Sequence, residues 1–156
     1  MGSLQSKNHQ LKPDDVKVLE QRLSFFGKKI KLRALWIDDN PEIVKRERVI
    51  LKQLGIKTTL VQSTTEAIEY MENNDYDVDM ILSDISRDEN KREGLDFTEW
   101  LYKKNQKFHR KVIFYIDDLD LSRGVPPYAF GITNTIMELI HLVIDVAQRI
   151  EYGSEH

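Results

Sequence analysis

At 156 residues, with 40% apolar and 31% charged side chains, the chain has the size and balance of one soluble globular domain plus an extension. Its net charge of −3 opposes a polyanion-binding field, so neither nucleic acid nor a membrane surface is expected as a partner. The absence of cysteine excludes disulfides, thiolate catalysis and zinc–thiolate sites. No apolar run approaches the ~20 residues of a membrane span and the polar N-terminus is no secretory signal, so a cytoplasmic location is expected.

The first dozen residues are polar. "PDDVKVLEQRLSFFG" (13–27) then carries helix signals: Pro13 early, Asp14 and Asp15 in the first turn, and Gly27 as a stop. Val16, Leu19, Leu23 and Phe26 form one stripe, expected to pack on the chain's own domain. "KLRALWID" (31–38) reads as a strand, and Pro41 starts a helix with Ile43, Ile50, Leu51 and Leu54 on its apolar face, stopped by Gly55. "IKTTLVQS" (56–63) is β-branched and strand-like, followed by a Thr-capped helix over 64–74 with Ala67, Ile68 and Met71 inward. A third strand, "VDMILSD" (78–84), also ends in a carboxylate. After a charged loop, 95–104 is a helix with Leu95, Phe97, Trp100 and Leu101 on one side. "KVIFYI" (111–116) and "YAFGIT" (128–133) are strands separated by a Gly/Pro-rich segment too irregular for a long helix. The helix over 135–150 turns Ile136, Leu139, Ile140, Val143, Ile144 and Ala147 inward. The basic run 103–111 reads as a solvated connection.

Five strands alternating with helices predict an α/β fold with a parallel sheet covered on both faces. The right-handed crossover rule favours a flavodoxin-like doubly wound sheet of order 2-1-3-4-5, with a degenerate fourth helix and an extra N-terminal helix. Ligands bind such sheets at the carboxyl ends of the strands, where Asp38, Asp39 and Asp84 all fall. Three carboxylates meeting there would repel one another unless a cation sat among them, and oxygen-only ligands suit Mg²⁺. A strand-end aspartate is also a common turn or capping residue, and that reading stays open for each residue alone.

"LWIDDNPE", "MILSDI" and the βα order resemble the CheY-like receiver domain of two-component response regulators. The acidic pair closes the first strand and an aspartate closes the third, 84 − 39 = 45 residues later. The resemblance covers roughly residues 31–152, leaving 1–30 as an N-terminal extension and 153–156 as a tail. It implies a phosphorelay protein, not an enzyme, with Asp84 as the phosphoacceptor. It further implies Mg²⁺ held by Asp38, Asp39, Asp84 and the backbone carbonyl of Ser86. A histidine kinase or phosphotransfer protein would be the phosphodonor, and output would pass by contact to a downstream protein. Homodimerisation stays open.

Two positions depart from the family. Ile116 or Asp117 ends strand four where Ser or Thr is expected, and Thr133-Asn134 ends strand five where Lys-Pro is usual; no lysine follows Lys111. Thr133 and Asn134 could supply neutral hydrogen bonds to a phosphoryl group. The alternatives are a phosphorylation-independent pseudo-receiver acting as an interaction module, and a nucleotide-cleaving enzyme resembling TIR domains, with Glu99 as its candidate glutamate. The four histidines, His9, His109, His141 and His156, show no metal-ligand spacing.

Overall fold

The structure is a computed structural model, and it describes residues 12–26, 30–85, 93–116 and 125–153. Short apolar runs give five parallel strands: β1 (Leu32–Ile37), β2 (Ile56–Val61), β3 (Met80–Ser83), β4 (Val112–Tyr115) and β5 (Gly131–Thr133). They form one sheet in the order β2-β1-β3-β4-β5, as the alternation predicts. Every pairing in it is parallel. β1, β3 and β4 are apolar on both faces because helices cover both, and Leu35, Trp36, Ile37, Ile81, Leu82, Ile113 and Phe114 are fully buried.

The helices are α1 (Pro13–Phe26), α2 (Lys45–Leu54), α3 (Thr64–Asn73), α4 (Glu93–Lys104) and α5 (Ile136–Gly153). On one face, Val44 just before α2, Leu51 of α2 and Leu139, Val143, Val146 and Ala147 of α5 pack on Trp36, Leu82 and Tyr115. On the other, Ala67 and Met71 of α3 and Phe97 and Leu101 of α4 pack on Leu35, Ile37, Ile81 and Phe114. Burying one such side chain contributes about 1.5–3 kcal/mol. Among the described residues no helix is long and apolar enough to cross a membrane.

The local structure corrects several sequence expectations. Pro41–Val44 is a 3-10 turn, and α2 begins only at Lys45. Three residues per turn instead of 3.6 rotate the following face, so Ile43 is exposed while Val44, Glu47 and Leu51 are buried. α3 is capped by Ser63, not Thr64: extended backbone at Ser63 lets its Oγ accept from the Glu66 amide at 3.1 Å. The Glu66 carboxylate in turn accepts from the Gln62 amide at 2.6 Å. Tyr128 has φ +66°, outside strand geometry, so the last strand is Gly131–Thr133 and residues 128–130 form a turn before it. That turn stacks Tyr128 on Tyr102 of α4, with His109 tilted against the same ring. No helix occurs in residues 125–130; the rest of the β4–β5 connection and the Gly27 stop lie outside the described residues. Gly55 ends α2 as expected, at φ +98°, and a Cβ there would lie 1.8 Å from the Ile30 carbonyl oxygen.

Candidate metal centre

β1 and β3 are neighbours in register, with Ile37 opposite Ser83, so the next residue of each chain, Asp38 and Asp84, emerges side by side at one rim. Ladder hydrogen bonds fix both backbones there. The Asp38 amide donates to the Val61 carbonyl at 3.0 Å and the Asp84 amide to the Ile37 carbonyl at 3.1 Å. Asp38 Oδ1 also accepts from the Asn40 amide at 2.8 Å, an Asx-type turn that swings the chain into Pro41 and points Asp39 outward.

Asp38 is 3% exposed, Asp84 8%, and Asp39 lies open to solvent. One carboxylate oxygen from each comes within 4.8 Å of the other two. The site is therefore an acidic cleft with two buried walls and one solvent-facing lip. Like charges this close repel, and the repulsion grows where burial lowers the effective dielectric. The donor set is all oxygen and all carboxylate, which fits a hard divalent cation such as Mg²⁺ completed by water. Among the described residues no other group of three or more potential metal ligands gathers in this way.

The other sequence candidates fall into four groups. Ser86 and Asp117 lie outside the described residues. Thr133 and Asn134 are both buried, at the end of β5. β5 is two strands from β3, about 10 Å at ordinary strand spacing. The Thr133 hydroxyl already accepts from the Thr135 amide at 3.1 Å, and its carbonyl accepts from the Ile116 amide at 3.0 Å. Ile116 packs against the core at the end of β4 and offers no polar group from its side chain. Glu99 is exposed on α4 and pairs with Lys103 at 3.1 Å, an ordinary i,i+4 surface contact.

Sequence reasoning missed Gly94. A Cβ at this position would lie 2.2 Å from the Asp84 carbonyl oxygen and 2.7 Å from the Ile85 Cα. Its amide donates to the Ile85 carbonyl at 2.6 Å, and its own carbonyl accepts from the Thr98 hydroxyl at 2.8 Å. The start of α4 is thereby seated directly on the backbone that carries Asp84. "REGLDF" offers a lone glycine at a helix start, and that signal alone does not reveal close approach to a strand end ten residues back along the chain.

The sequence profile of the response regulator receiver domain matches residues 34–124, more than half of the chain. No curated protein matches the sequence. Among solved structures, a response regulator receiver domain protein from Clostridium thermocellum superposes with a TM-score of 0.60 at 22% identity, over 77% of this chain and 97% of that one. The signal receiver domain of an HD domain-containing protein from Pseudomonas fluorescens Pf-5 gives 0.65 at 14% identity, over 81% and 93%. The chemotaxis response regulator CheY4 of Vibrio cholerae gives 0.58 at 15%, over 75% and 99%. These likenesses match the strand order and the flanking helices, and receiver domains are phosphorelay signalling modules that typically bind Mg²⁺ in an acidic pocket. With a strand-end acidic cleft on the expected sheet and the matching sequence profile, this chain belongs to the response regulator receiver domain family.

Proposed function

We propose that Asp84 accepts a phosphoryl group from a phosphohistidine on a histidine kinase or phosphotransfer protein, beside a Mg²⁺ ion held by Asp38, Asp39 and Asp84. Residues 31–152 form the receiver unit in this reading and residues 1–30 an extension to it. The observation that carries it is the approach of three carboxylates from two strand ends to within 4.8 Å. Mg²⁺, when bound, supplies charge neutralisation for the incoming phosphoryl oxygens.

The chain's own residues do the rest. The ladder bond at its amide holds Asp84 at the rim, and Gly94 fixes the backbone just beyond it. A carboxylate oxygen of Asp84 attacks phosphorus in line. The phosphorus–nitrogen bond breaks, and its electron pair stays on the imidazole, which leaves neutral after taking a proton. The product is an acyl phosphate on Asp84. Asp39, open to solvent, faces the side from which a donor protein arrives. The signal then passes through protein contact.

The test is intact mass spectrometry after incubation with acetyl phosphate or phosphoramidate and MgCl₂. The wild-type chain gains one phosphoryl group, and Asp84→Asn gains none. Absence of the adduct at every magnesium concentration would remove Asp84 as acceptor.

One observation favours a second reading, a phosphorylation-independent interaction module. The residue that follows β4, Ile116, is apolar, and the chain has no lysine after Lys111 to meet phosphoryl oxygens from β5. If Asp84→Asn leaves binding to a physiological partner unchanged, this second reading replaces the first.

A further inference from the structure

The parallel strands begin at the rim opposite the acidic cleft, and the chain enters that rim in uncommon backbone geometry. Among the described residues, four that are not glycine have left-handed φ: Asp75 at +55°, Tyr76 at +57°, Arg110 at +55° and Tyr128 at +66°. All four stand in segments that lead into a strand, the first two into β3, Arg110 into β4 and Tyr128 into β5. Glycine or asparagine occupies this region at little cost, whereas arginine or tyrosine is strained there and has to be held. Here the turns hold one another. The Arg110 amide donates to the Tyr128 carbonyl at 2.9 Å, and Lys107 Nζ donates to the Tyr76 carbonyl at 3.0 Å. Tyr128 stacks on Tyr102 with ring centres 4.5 Å apart, and the exposed His109 ring leans on Tyr102 at 5.1 Å.

The same rim gathers positive charge. Residues 103–111 hold five lysine or arginine side chains and no carboxylate, in a chain of net charge −3. Some of these are occupied: Lys103 pairs with Glu99, Lys104 lies over the Trp100 ring, and Lys107 meets Tyr76. Arg110, Lys111 and, near the end of α5, Arg149 differ, because among the described residues no carboxylate pairs with any of them. Arg149 lies over the Phe130 ring at 5.1 Å, and the Phe130 amide donates to the carbonyl of Val112, beside Lys111, at 2.7 Å. Burial, and after it the Arg149 charge, hold the Lys111 pKa below its ordinary value. A solvated connection accounts for exposed lysines. It does not account for three cations left without anions where two of them repel, or for arginine and tyrosine kept on backbone that suits glycine.

We propose that the rim where β4 and β5 begin is a docking surface for an acidic segment of a partner protein. The carboxylates of that segment meet Arg110, Lys111 and Arg149, and its apolar side chains lie against Tyr102, Tyr128 and His109. Tyrosine and arginine on rigid backbone are what protein interfaces concentrate, because they bury much area and lose little freedom on binding. Guanidinium groups grip carboxylates through paired hydrogen bonds. Charge also selects a short segment over an extended nucleic acid: the exposed Asp75 and Asp77 flank the rim on the β3 side, and the chain as a whole is acidic. The surface lies at the far end of the sheet from Asp84 and needs neither a metal nor a phosphoryl group, so its failure and that of the function proposed above are separable.

The test is a selection from a random dodecapeptide library on phage against the full chain in EDTA, after depletion on a chain carrying Arg110→Glu, Lys111→Glu and Arg149→Glu. Peptides rich in aspartate and glutamate with interspersed apolar residues are the expected product. A fluorescein-labelled copy of the most enriched peptide then loses about tenfold or more of its affinity with Arg110→Gly, Arg149→Gln or Tyr128→Asn. Reversing Lys45, Arg46 and Lys52 on α2 to glutamate changes the net charge equally and leaves the affinity within about twofold, because the contact is local. Arg110→Gly suits a left-handed backbone, so this variant melts no lower than wild type and its lost affinity is not lost fold; it also decides the matter should the triple variant not fold. No enrichment of acidic peptides, equal affinity for wild type and Arg110→Gly, a lower melting temperature of Arg110→Gly, or an equal loss on reversing the α2 charges each overturns the proposal. Displacement of the peptide by an equimolar single-stranded oligonucleotide would give the surface to nucleic acid. A wild-type dimer in light scattering that Arg110→Gly dissolves would give it to a second copy, and the proposal fails in either case.

Discussion

Replacing Asp84 by asparagine keeps the shape of a side chain that is 8% exposed and deletes one of three converging charges. Two unit charges 4.8 Å apart interact by about 0.9 kcal/mol in bulk water and about 3.5 kcal/mol at an effective dielectric near 20. Asp38, at 3% exposure, is the partner that matters, because the field of the exposed Asp39 is screened by solvent. Relief of that repulsion stabilises Asp84→Asn over wild type by about 1–3 kcal/mol in EDTA at low salt. At about 2–4 °C per kcal/mol for a chain of this size, the melting temperature rises by several degrees. Magnesium reverses the order: at a hundred times its dissociation constant, a ligand that binds only the folded state adds about 2.7 kcal/mol. Wild type gains this in full, while the variant, with one ligand fewer, gains less than half. Thermal unfolding followed by circular dichroism across a MgCl₂ titration reads both effects. A variant less stable than wild type in EDTA, together with an equal magnesium response in the two chains, would refute the reasoning.

Gly94→Ala forces a methyl group onto the Asp84 carbonyl, and overpacking of this kind costs about 1–3 kcal/mol; urea denaturation should show the loss, with slower phosphoryl uptake by mass spectrometry, and an unchanged midpoint would contradict the contact. Tyr115→Phe removes the 2.7 Å hydrogen bond that the tyrosine donates to the fully buried Glu47 carboxylate, at a cost of about 1–3 kcal/mol. A change below about 0.5 kcal/mol in chemical denaturation would show that this bond does not hold α2 to β4. Where α1 packs on α5, Arg22 donates to His141 Nδ1 at 2.7 Å. Burial, and after it the Arg22 charge, hold the His141 pKa below its ordinary value. A base whose pKa falls on this packing stabilises the packed state fully above about pH 6.5 and loses that contribution as pH falls below it. Hydrogen exchange of α1, corrected for its intrinsic pH dependence, should therefore quicken between about pH 7.5 and about pH 5.5 in wild type and far less in His141→Gln.

The sheet and its acidic rim were legible because both rest on local signals. Apolar runs of strand length alternate with helical periods, and two of those runs end in carboxylates that a 2-1-3-4-5 order makes neighbours. What stayed hidden depends on rotation, strain or distant contact. The 3-10 turn at Pro41–Val44 shifts the helical phase, so an apolar residue, Ile43, faces solvent while Glu47 enters the core. No periodicity argument expects a buried glutamate on a helix face; the Tyr115 hydroxyl on β4 gives it a partner there. Tyr128 reads as a strand residue by composition, yet it adopts a left-handed turn stacked on Tyr102. Gly94 and Arg22 act across 10 and more than 100 residues of chain, respectively, and a single sequence carries no mark of either contact.

The account turns on one cation bound between two strand ends, and anomalous diffraction from a crystal grown with Mn²⁺ in place of Mg²⁺ interrogates it most directly. A single anomalous peak bounded by the carboxylates of Asp38, Asp39 and Asp84 is the predicted result. A map with no peak in that cleft at saturating metal, or with the ion lodged elsewhere on the chain, would contradict it.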